Sequence, residues 1–310
     1  GWYNTAAFEE IATADGLYAK TLNGDAYSAE MKEQTIETIK KDLGQVDMVI
    51  YSIAAPRRTA PDGVTYKSVL KTTGESYTNR TIDLRNNQLM EATIEPATDE
   101  EIQNTIKVMG GEDWILWIKA LKEAGVLADG AKTVAYSYIG PELTYPIYKE
   151  GSIGQAKKDL YASADKIQAE IDGVEAYVSV NKAVVTQSSA AIPIVPLYLA
   201  ILFKVMKEQK VQEGCIEQMY RMIHDRLCNG GAVVTDENRL IRMDDWEMEP
   251  KVQEAVAEIW QKIDQDNLEE VTDLEGYWQE FYEIFGFRID GVDYGADVDA
   301  DVQIPSIAAE

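Results

Sequence analysis

The run Met48-Val49-Ile50-Tyr51-Ser52-Ile53 carries no charge and is apolar or aromatic at all but one position. Alternation would mark a strand wetted on one face. A continuous run marks a strand covered on both faces, as in a parallel sheet. What precedes it agrees. Residues 8–14 read as a helix stopped by Gly16. Residues 18–22 read as a strand ending at Gly24-Asp25-Ala26. Ser28 reads as the cap of a helix that carries Met31, Ile36, Ile39 and Leu43 on one face. The pattern is α/β from the first residue, and a helix met in mid-pattern reads as the continuation of a strand lost upstream.

Downstream, residues 57–95 are polar and β-branched, with a turn at Asn86-Asn87, and predict a strand-rich insertion with a hairpin. Thr98-Asp99-Glu100-Glu101 is a capping box. A helix over residues 113–124 stops at Gly125, and residues 133–138 form the next strand. Ser152-Ile153-Gly154-Gln155 reads as a second capping box. Residues 176–180 read as a strand, and Pro193 and Pro196 lead into an apolar helix over 197–207. The remainder is mostly helical, then acidic and irregular. This alternation predicts an α/β fold: a Rossmann-like doubly wound parallel sheet, with a strand-rich insertion and extra C-terminal helices. It reads as a single domain over residues 1–310, with the insertion at 57–95. Ligands in such sheets bind beyond the carboxyl ends of strands. The segments there are residues 24–26, 53–56, 138–150 and 183–188.

Composition narrows the function classes. The 310 residues carry a net charge of −25, with 45% hydrophobic and 27% charged residues. Such a surface repels nucleic acid and anionic membranes, and a phosphate-bearing ligand needs a local basic patch. Cys215 and Cys228 stand outside any CxxC spacing, which predicts a reducing, cytoplasmic setting. The apolar stretch 190–205 contains two prolines and is too short to span a bilayer, so no membrane insertion is expected. The single histidine, His224, weakens histidine triads and zinc sites. On the amphipathic stretch 215–227 it reads as a surface residue, and no metal is expected.

The densest chemistry lies between Tyr136 and Lys157, where Tyr136, Tyr138, Tyr145 and Tyr148 surround a strand end and a helix start. Ile153, Lys157, Leu160, Ala164, Ile167 and Ile171 form one helical stripe, so periodicity turns Lys157 inward and Lys158 off the stripe. An inward lysine needs a partner or a task. An ammonium beside a tyrosine lowers the phenol's pKa, with an attraction of about 4 kcal/mol at about 4 Å and an effective dielectric near 20. Such a couple can supply a proton or a hydrogen bond to an oxygen that becomes anionic, and its lysine can hold a nicotinamide ribose. Two spacings compete. Tyr145 and Lys149 form the Tyr-x3-Lys of ordinary short-chain dehydrogenases, but Pro146 pushes Tyr145 out of helical geometry. Tyr148 and Lys157 form Tyr-x8-Lys, with the tyrosine in the loop and the lysine in the second helical turn. About one Tyr-x8-Lys pair is expected by chance in a chain of this composition, so a tyrosine-rich loop packed on a helix stays open as the alternative.

The surrounding segments are more specific. They include Val46 to Ala54, Ser68-Val69-Leu70-Lys71, Lys107-Val108-Met109-Gly110-Gly111-Glu112-Asp113-Trp114, Tyr136 to Pro141 and Gly151 to Gly154. Further on come Val178-Ser179-Val180-Asn181-Lys182, Ile192 to Leu199 and Asp244-Asp245-Trp246-Glu247. Through these, over nearly its whole length, the chain resembles the trans-2-enoyl-CoA reductase and enoyl-ACP reductase family of the Tyr-x8-Lys type. The likeness is strongest to the butyrate-forming crotonyl-CoA reductases. The resemblance implies a short-chain-dehydrogenase-related fold and an NADH-dependent reduction of enoyl-CoA or enoyl-ACP. It implies Tyr148 as the proton-donating tyrosine, Lys157 as the cofactor-contacting lysine and Tyr138 as the residue on the substrate thioester carbonyl. It implies Asp25 and Ala26 on the adenine side, Ile53 and Ala54 beside the cofactor, and Val184, Val185 and Thr186 as backbone at the nicotinamide carboxamide. It also implies that the helix after Pro196 flanks an acyl pocket. Family members open with a strand and a glycine-rich turn, and these residues hold none, so the sequence reads as N-terminally incomplete. Gly110-Gly111 follows a helix and does not meet the fingerprint's strand-before, helix-after requirement. A monomer is expected.

Other features have plainer readings. Arg57 and Arg58 either meet ligand phosphates or form a solvated loop. Asp297, Asp299 and Asp301 imitate a calcium loop but lack its glycine and its closing glutamate, and read as a solvated acidic tail. Trp114 and Trp117, at helical spacing, read as core. Two other functions compete with enoyl reduction: a Tyr145/Lys149 carbonyl reductase, and a non-catalytic acyl-thioester binding remnant.

Overall fold

A computed structural model describes residues 1–308. Among the described residues eight strands follow one another: β1 Val46–Tyr51, β2 Arg57–Thr59, β3 Thr65–Lys67, β4 Tyr77–Asp83, β5 Gln88–Ile94, β6 Leu127–Ser137, β7 Val174–Val180 and β8 Leu240–Arg242. The helices that matter here are α1 Trp2–Ala14, α2 Ala29–Asp42, α3 Asp99–Met109, α4 Glu112–Glu123 and α5 Ser152–Glu170, followed by the single turn α6 Gln187–Ala190, α7 Val195–Glu208, α8 Cys215–Arg221, α9 Pro250–Lys262, α10 Leu268–Val271 and α11 Leu274–Glu283.

The central sheet runs β1-β6-β7-β8, all parallel. Side-chain alternation divides it between two layers. Ala131, Ala135, Ala176 and Val178 pack against Trp114 and Ile118 of α4 and Leu160 and Ile167 of α5. Val134 and Ile241 face the other way, onto Met222 and Leu227 beyond α8. The doubly wound α/β architecture is therefore present. A separate core surrounds α7, whose residues from Leu197 to Phe203 are all fully buried. It is closed by Val252 and Val256 of α9, Tyr277 of α11, and Ile82 and Ile94 of the β4–β5 hairpin. Arg80 of β4 clamps this arrangement by donating to the carbonyls of Trp260 and Ile263 at 2.9 and 3.0 Å.

Most local readings match the structure. Ser28 caps α2 by accepting from the Met31 N–H, and Thr98 and Glu101 complete a capping box on α3. Residues 57–95 hold two hairpins, with Asn87 in left-handed geometry at the second turn. Trp114 is buried, and its indole donates to Thr133 at 2.8 Å.

Four readings need correction. Residues 18–22 form no strand, because no ladder partner lies beside them; the Thr21 N–H donates instead to Ser306 Oγ. The run at Met48 is only partly covered: Met48 packs toward Val134 and Ile241 on one face and Val49 and Tyr51 toward α4 and α5 on the other, but β1 is the sheet's edge strand and Ile50 is exposed. Ser152 does not cap α5. Its hydroxyl donates to the Val69 carbonyl at 2.6 Å and accepts the Lys71 N–H at 3.1 Å, so the side chain ties the helix start to the segment after β3. Arg58 is neither solvated nor free for phosphate. It is buried, with Nη1 at 2.7 Å from both the Lys107 carbonyl and Glu112. Arg57 is exposed.

Candidate active site

Parallel strands that end together place their following residues together. Ser137 pairs with Val180 at the ends of β6 and β7, and the Asn181 N–H donates to the Ser137 carbonyl at 2.9 Å. The N–H groups of Met243 and Asp244, just past β8, donate to the Val180 carbonyl. Three chain segments thus leave the sheet at one edge, and a cavity of about 360 Å³ opens there. It is lined by Ser52, Ile53 and Ala54 after β1, by Tyr136, Tyr138 and Tyr148, by Lys157 and Leu160 of α5, by Asn181 to Val184 and Thr186, and by Ile192, Val195 and Leu199 around the start of α7.

The structure therefore brings together Tyr138, Tyr148, Lys157, Ile53, Ala54, Val184 and Thr186. Val185 is turned into the α7 core instead. Asp25 and Ala26 lie apart from the cavity lining. Asp25 accepts the Tyr27 N–H at 3.0 Å, and the Ala26 carbonyl accepts the Trp117 indole at 3.0 Å. Tyr145 and Lys149 do not reach the cavity either. Lys149 Nζ sits over the Tyr145 ring at 4.1 Å, and Tyr145 lines a different cavity of about 550 Å³ against α9.

Tyr148 belongs to a tight loop of residues 141–151, where its N–H donates to the Thr144 carbonyl at 2.9 Å. Two glycines hold this loop down. Gly140 has φ +74°, and a Cβ there would stand 2.8 Å from the Tyr138 hydroxyl. Gly154 lies in the first turn of α5, and a Cβ there would meet the carbonyl oxygens of Tyr148 and Lys149 at 2.3 and 2.2 Å. The rings of Tyr138 and Tyr148 meet edge to face, with centroids 4.9 Å apart.

The electrostatics differ from the sequence expectation. Lys157 Nζ donates to the Tyr136 carbonyl at 3.0 Å, and burial lowers its amine to about 8. Tyr148 is not acidified. Burial, and then the Glu247 carboxylate, push its phenol well above the usual value, so it stays protonated. The residue that sequence reading missed as part of the site is Glu247. It is fully buried and accepts the Tyr138 hydroxyl at 3.1 Å. His224, as expected, is exposed, with Nδ1 2.6 Å from Asp225.

Such a cavity suits a ligand with hydroxyls for Lys157 and a carbonyl for the two tyrosines. Lys157 has one carbonyl partner, which leaves hydrogens for a ribose diol, and Ile192, Val195 and Leu199 add an aliphatic stretch to the lining. Gly110-Gly111 is no phosphate loop. It joins α3 to α4, and Asp159 already accepts the Gly111 N–H at 2.9 Å.

A family model described as the trans-2-enoyl-CoA reductase catalytic region matches residues 1–228. A second, described as an enoyl reductase FAD binding domain, matches residues 235–298. The trans-2-enoyl-CoA reductase (NADH) of Ruminiclostridium cellulolyticum is 55% identical over 310 residues, spanning 99% of this chain and 78% of that protein. The enoyl-acyl-carrier-protein reductase (NADH) of Psychromonas ingrahamii is 54% identical over 313 residues, spanning 99% and 78%. The crystal structure of Treponema denticola trans-2-enoyl-CoA reductase in complex with NAD superposes with a TM-score of 0.93 at 49% identity, covering 96% of this chain and 75% of that one. The Clostridium acetobutulicum trans-2-enoyl-CoA reductase in complex with NAD gives 0.92 at 44%, covering 96% and 78%.

The donor set of residues 235–298 does not fit a flavin dinucleotide. Beyond β8 come Asp244 and Asp245, whose carboxylates are taken by Arg242, Arg221 and Arg226. The cavity against α9 presents Glu142 and Glu254, which repel a pyrophosphate.

Proposed function

We propose that this chain, which belongs to the trans-2-enoyl-CoA reductase family, reduces the trans-2 double bond of enoyl thioesters with NADH. The observation that carries the reading is the convergence of Tyr148, Tyr138 and Lys157 on one aliphatic-walled cavity beyond the carboxyl ends of the parallel strands. NADH, when bound, supplies the hydride that adds to the β-carbon of the enoyl group. The chain's own residues then act on the charge this leaves. As electrons move toward the thioester oxygen, the hydroxyls at the Tyr138–Tyr148 pair meet the developing enolate, and a fixed donor there lowers the barrier most where the charge is greatest. Tyr148, held protonated by its burial, gives its proton to this enolate, which completes the saturated thioester. Lys157 holds the cofactor ribose, with Ile53, Ala54, Val184 and Thr186 shaping the nicotinamide end. The aliphatic side chains of Ile192, Val195 and Leu199 take the acyl chain and keep water out.

The thioester carrier is coenzyme A or an acyl carrier protein; the relatives' names include both. Cytoplasmic location and a monomeric state belong to the same reading. No described helix is long and apolar enough to cross a membrane. The carbonyl-reductase alternative loses its support because Tyr145 and Lys149 stand outside the cavity. The test is loss of NADH absorbance with crotonyl-CoA. Tyr148→Phe is expected to lower turnover by about 10²–10⁴-fold and to leave NADH binding within about twofold, while Lys149→Ala keeps its activity. Unchanged turnover in Tyr148→Phe contradicts the assignment.

A further inference from the structure

Glu247 stands behind the cavity wall with every oxygen engaged. Its Oε1 accepts the hydroxyls of Tyr138 at 3.1 Å and Tyr198 at 2.7 Å, and its Oε2 accepts the Ala183 N–H at 2.7 Å. Gln253 Nε2 donates to the Tyr198 hydroxyl at 3.2 Å and to the Glu247 backbone carbonyl at 2.7 Å. That bond leaves the Tyr198 proton directed at Glu247. Tyr138 is different, because its ring lines the cavity and its hydroxyl has a single proton to give. While Glu247 is ionised, that proton is committed to the carboxylate, and Tyr138 offers the cavity an acceptor. Once Glu247 is protonated it can donate to the Tyr138 oxygen, which frees the Tyr138 hydrogen for the cavity.

We propose that Glu247 is a positioning residue of the reduction, acting through Tyr138: its protonation decides whether Tyr138 meets the thioester oxygen as a hydrogen-bond donor. The inference rests on the cavity being the enoyl-thioester site. Burial raises the Glu247 carboxyl above its usual value. The bonds from Tyr198 and Ala183 and the Lys182 ammonium oppose the rise, and Asp244 adds to it. Lys182, itself buried and donating to the Ala183 carbonyl at 2.8 Å, faces Glu280 and Glu213, which favour its charged form, and Arg221, which opposes it. With protonated Glu247 as the competent form, turnover falls as pH rises through this titration. Glu247→Gln cannot ionise. Its amide oxygen can keep the Ala183 N–H and its NH₂ can face Tyr138, so the alkaline fall should vanish. Tyr198→Phe removes a bond that favours the ionised form, so the fall should move to higher pH.

The test has two readouts on the same protein. With ¹³C at tyrosine Cζ, the Tyr138 resonance is assigned by its absence in Tyr138→Phe. It should titrate with pH in the wild type and lie flat in Glu247→Gln. In turnover of crotonyl-CoA, Glu247→Gln should exceed the wild type by about tenfold above the alkaline limb. In a Tyr138→Phe background the same change should matter by less than about twofold. A Tyr138 resonance indifferent to Glu247→Gln, or effects that multiply independently of Tyr138, overturns the proposal. If Glu247→Gln does not fold, an unmoved limb in Tyr198→Phe overturns it as well. If the resonance titrates but the wild type reduces no enoyl thioester, the enoyl-reductase reading falls and takes this role with it, while the coupling of the two side chains stands.

Discussion

Lys157 is the clearest single-residue statement in the chain. The stripe Ile153, Leu160, Ala164, Ile167 turns it inward, and its one partner is the Tyr136 carbonyl at 3.0 Å. Burial lowers its amine to about 8 from an unfolded value of 10.5. Between those values the unfolded chain holds the proton and the fold does not, so folding stability from this group rises with pH across that window. A ligand whose oxygens accept from Nζ restores the charged form. Binding of NADH at a pH near the middle of the window should therefore take up a proton, and Lys157→Met should abolish the uptake. Calorimetry in two buffers of different ionisation enthalpy measures it, and binding with no proton linkage in the wild type contradicts the proposed contact. At this scale the inward turn of Lys157 was legible from periodicity, which needs only local sequence, whereas spacing left Tyr148 open and Tyr138 entered only through the family resemblance. The sense of the Tyr148 shift was not legible. It depends first on the burial of the ring and then on a carboxylate about a hundred residues away along the chain. Pairing in sequence carries no such information.

The loop of residues 141–151 and the helix that follows it show how elements set the site. Ser152 reads as a helix cap in sequence, but its hydroxyl serves the segment at Val69 and Lys71, since a tertiary partner can outcompete a local one. Gly154 then lets α5 start directly beneath the Tyr148 carbonyl. Gly154→Ala is expected to displace the Tyr148 loop. Turnover should fall by about tenfold or more, with the circular dichroism of the fold retained; full activity in this variant would contradict the close approach. The strand β8 was invisible for a different reason. Its three residues, Leu240–Arg242, are too short to show periodicity, and it exists because β7 offers it a parallel edge. With β8 unseen, the rule that ligands sit beyond strand ends could not point to Glu247; of the four segments it named, 53–56, 138–150 and 183–188 each contribute to the cavity lining and 24–26 does not.

The described residues pack into three apolar clusters, one between the sheet and α4–α5, one on the sheet's other face and one around α7, and the cavity lies where the first and the last meet. The doubly wound arrangement followed from alternating helices and apolar runs. The exposure of Ile50 on β1 did not, because which strand lies at the edge is a property of the assembled sheet. The acidic stretch at Asp297, Asp299 and Asp301 is exposed as expected, yet the residues just after it are anchored. Ile304 is buried, and Ser306 donates its N–H and hydroxyl to Glu9 of α1 at 2.9 and 2.6 Å. Burial pushes the Glu9 carboxyl up, but bonds from Ser306 and Thr21 outweigh it and hold the group below 4.5. This stability is present above the unfolded value and is lost as pH falls through the lowered one. Ser306→Ala should cost about 2 kcal/mol at neutral pH and flatten the acid side of the stability profile, as read by urea unfolding between pH 3 and pH 7; an unchanged acid limb would refute the strap. The central claim, reduction of a conjugated double bond in the cavity of Tyr148 and Lys157, is tested most directly with NADH deuterated at the transferring position of C4. Mass spectrometry of the crotonyl-CoA product should find one deuterium at the β-carbon of a saturated thioester, and none in the Tyr148→Phe protein over the same time. Deuterium on a former carbonyl carbon, or label transfer undiminished in Tyr148→Phe, would contradict it.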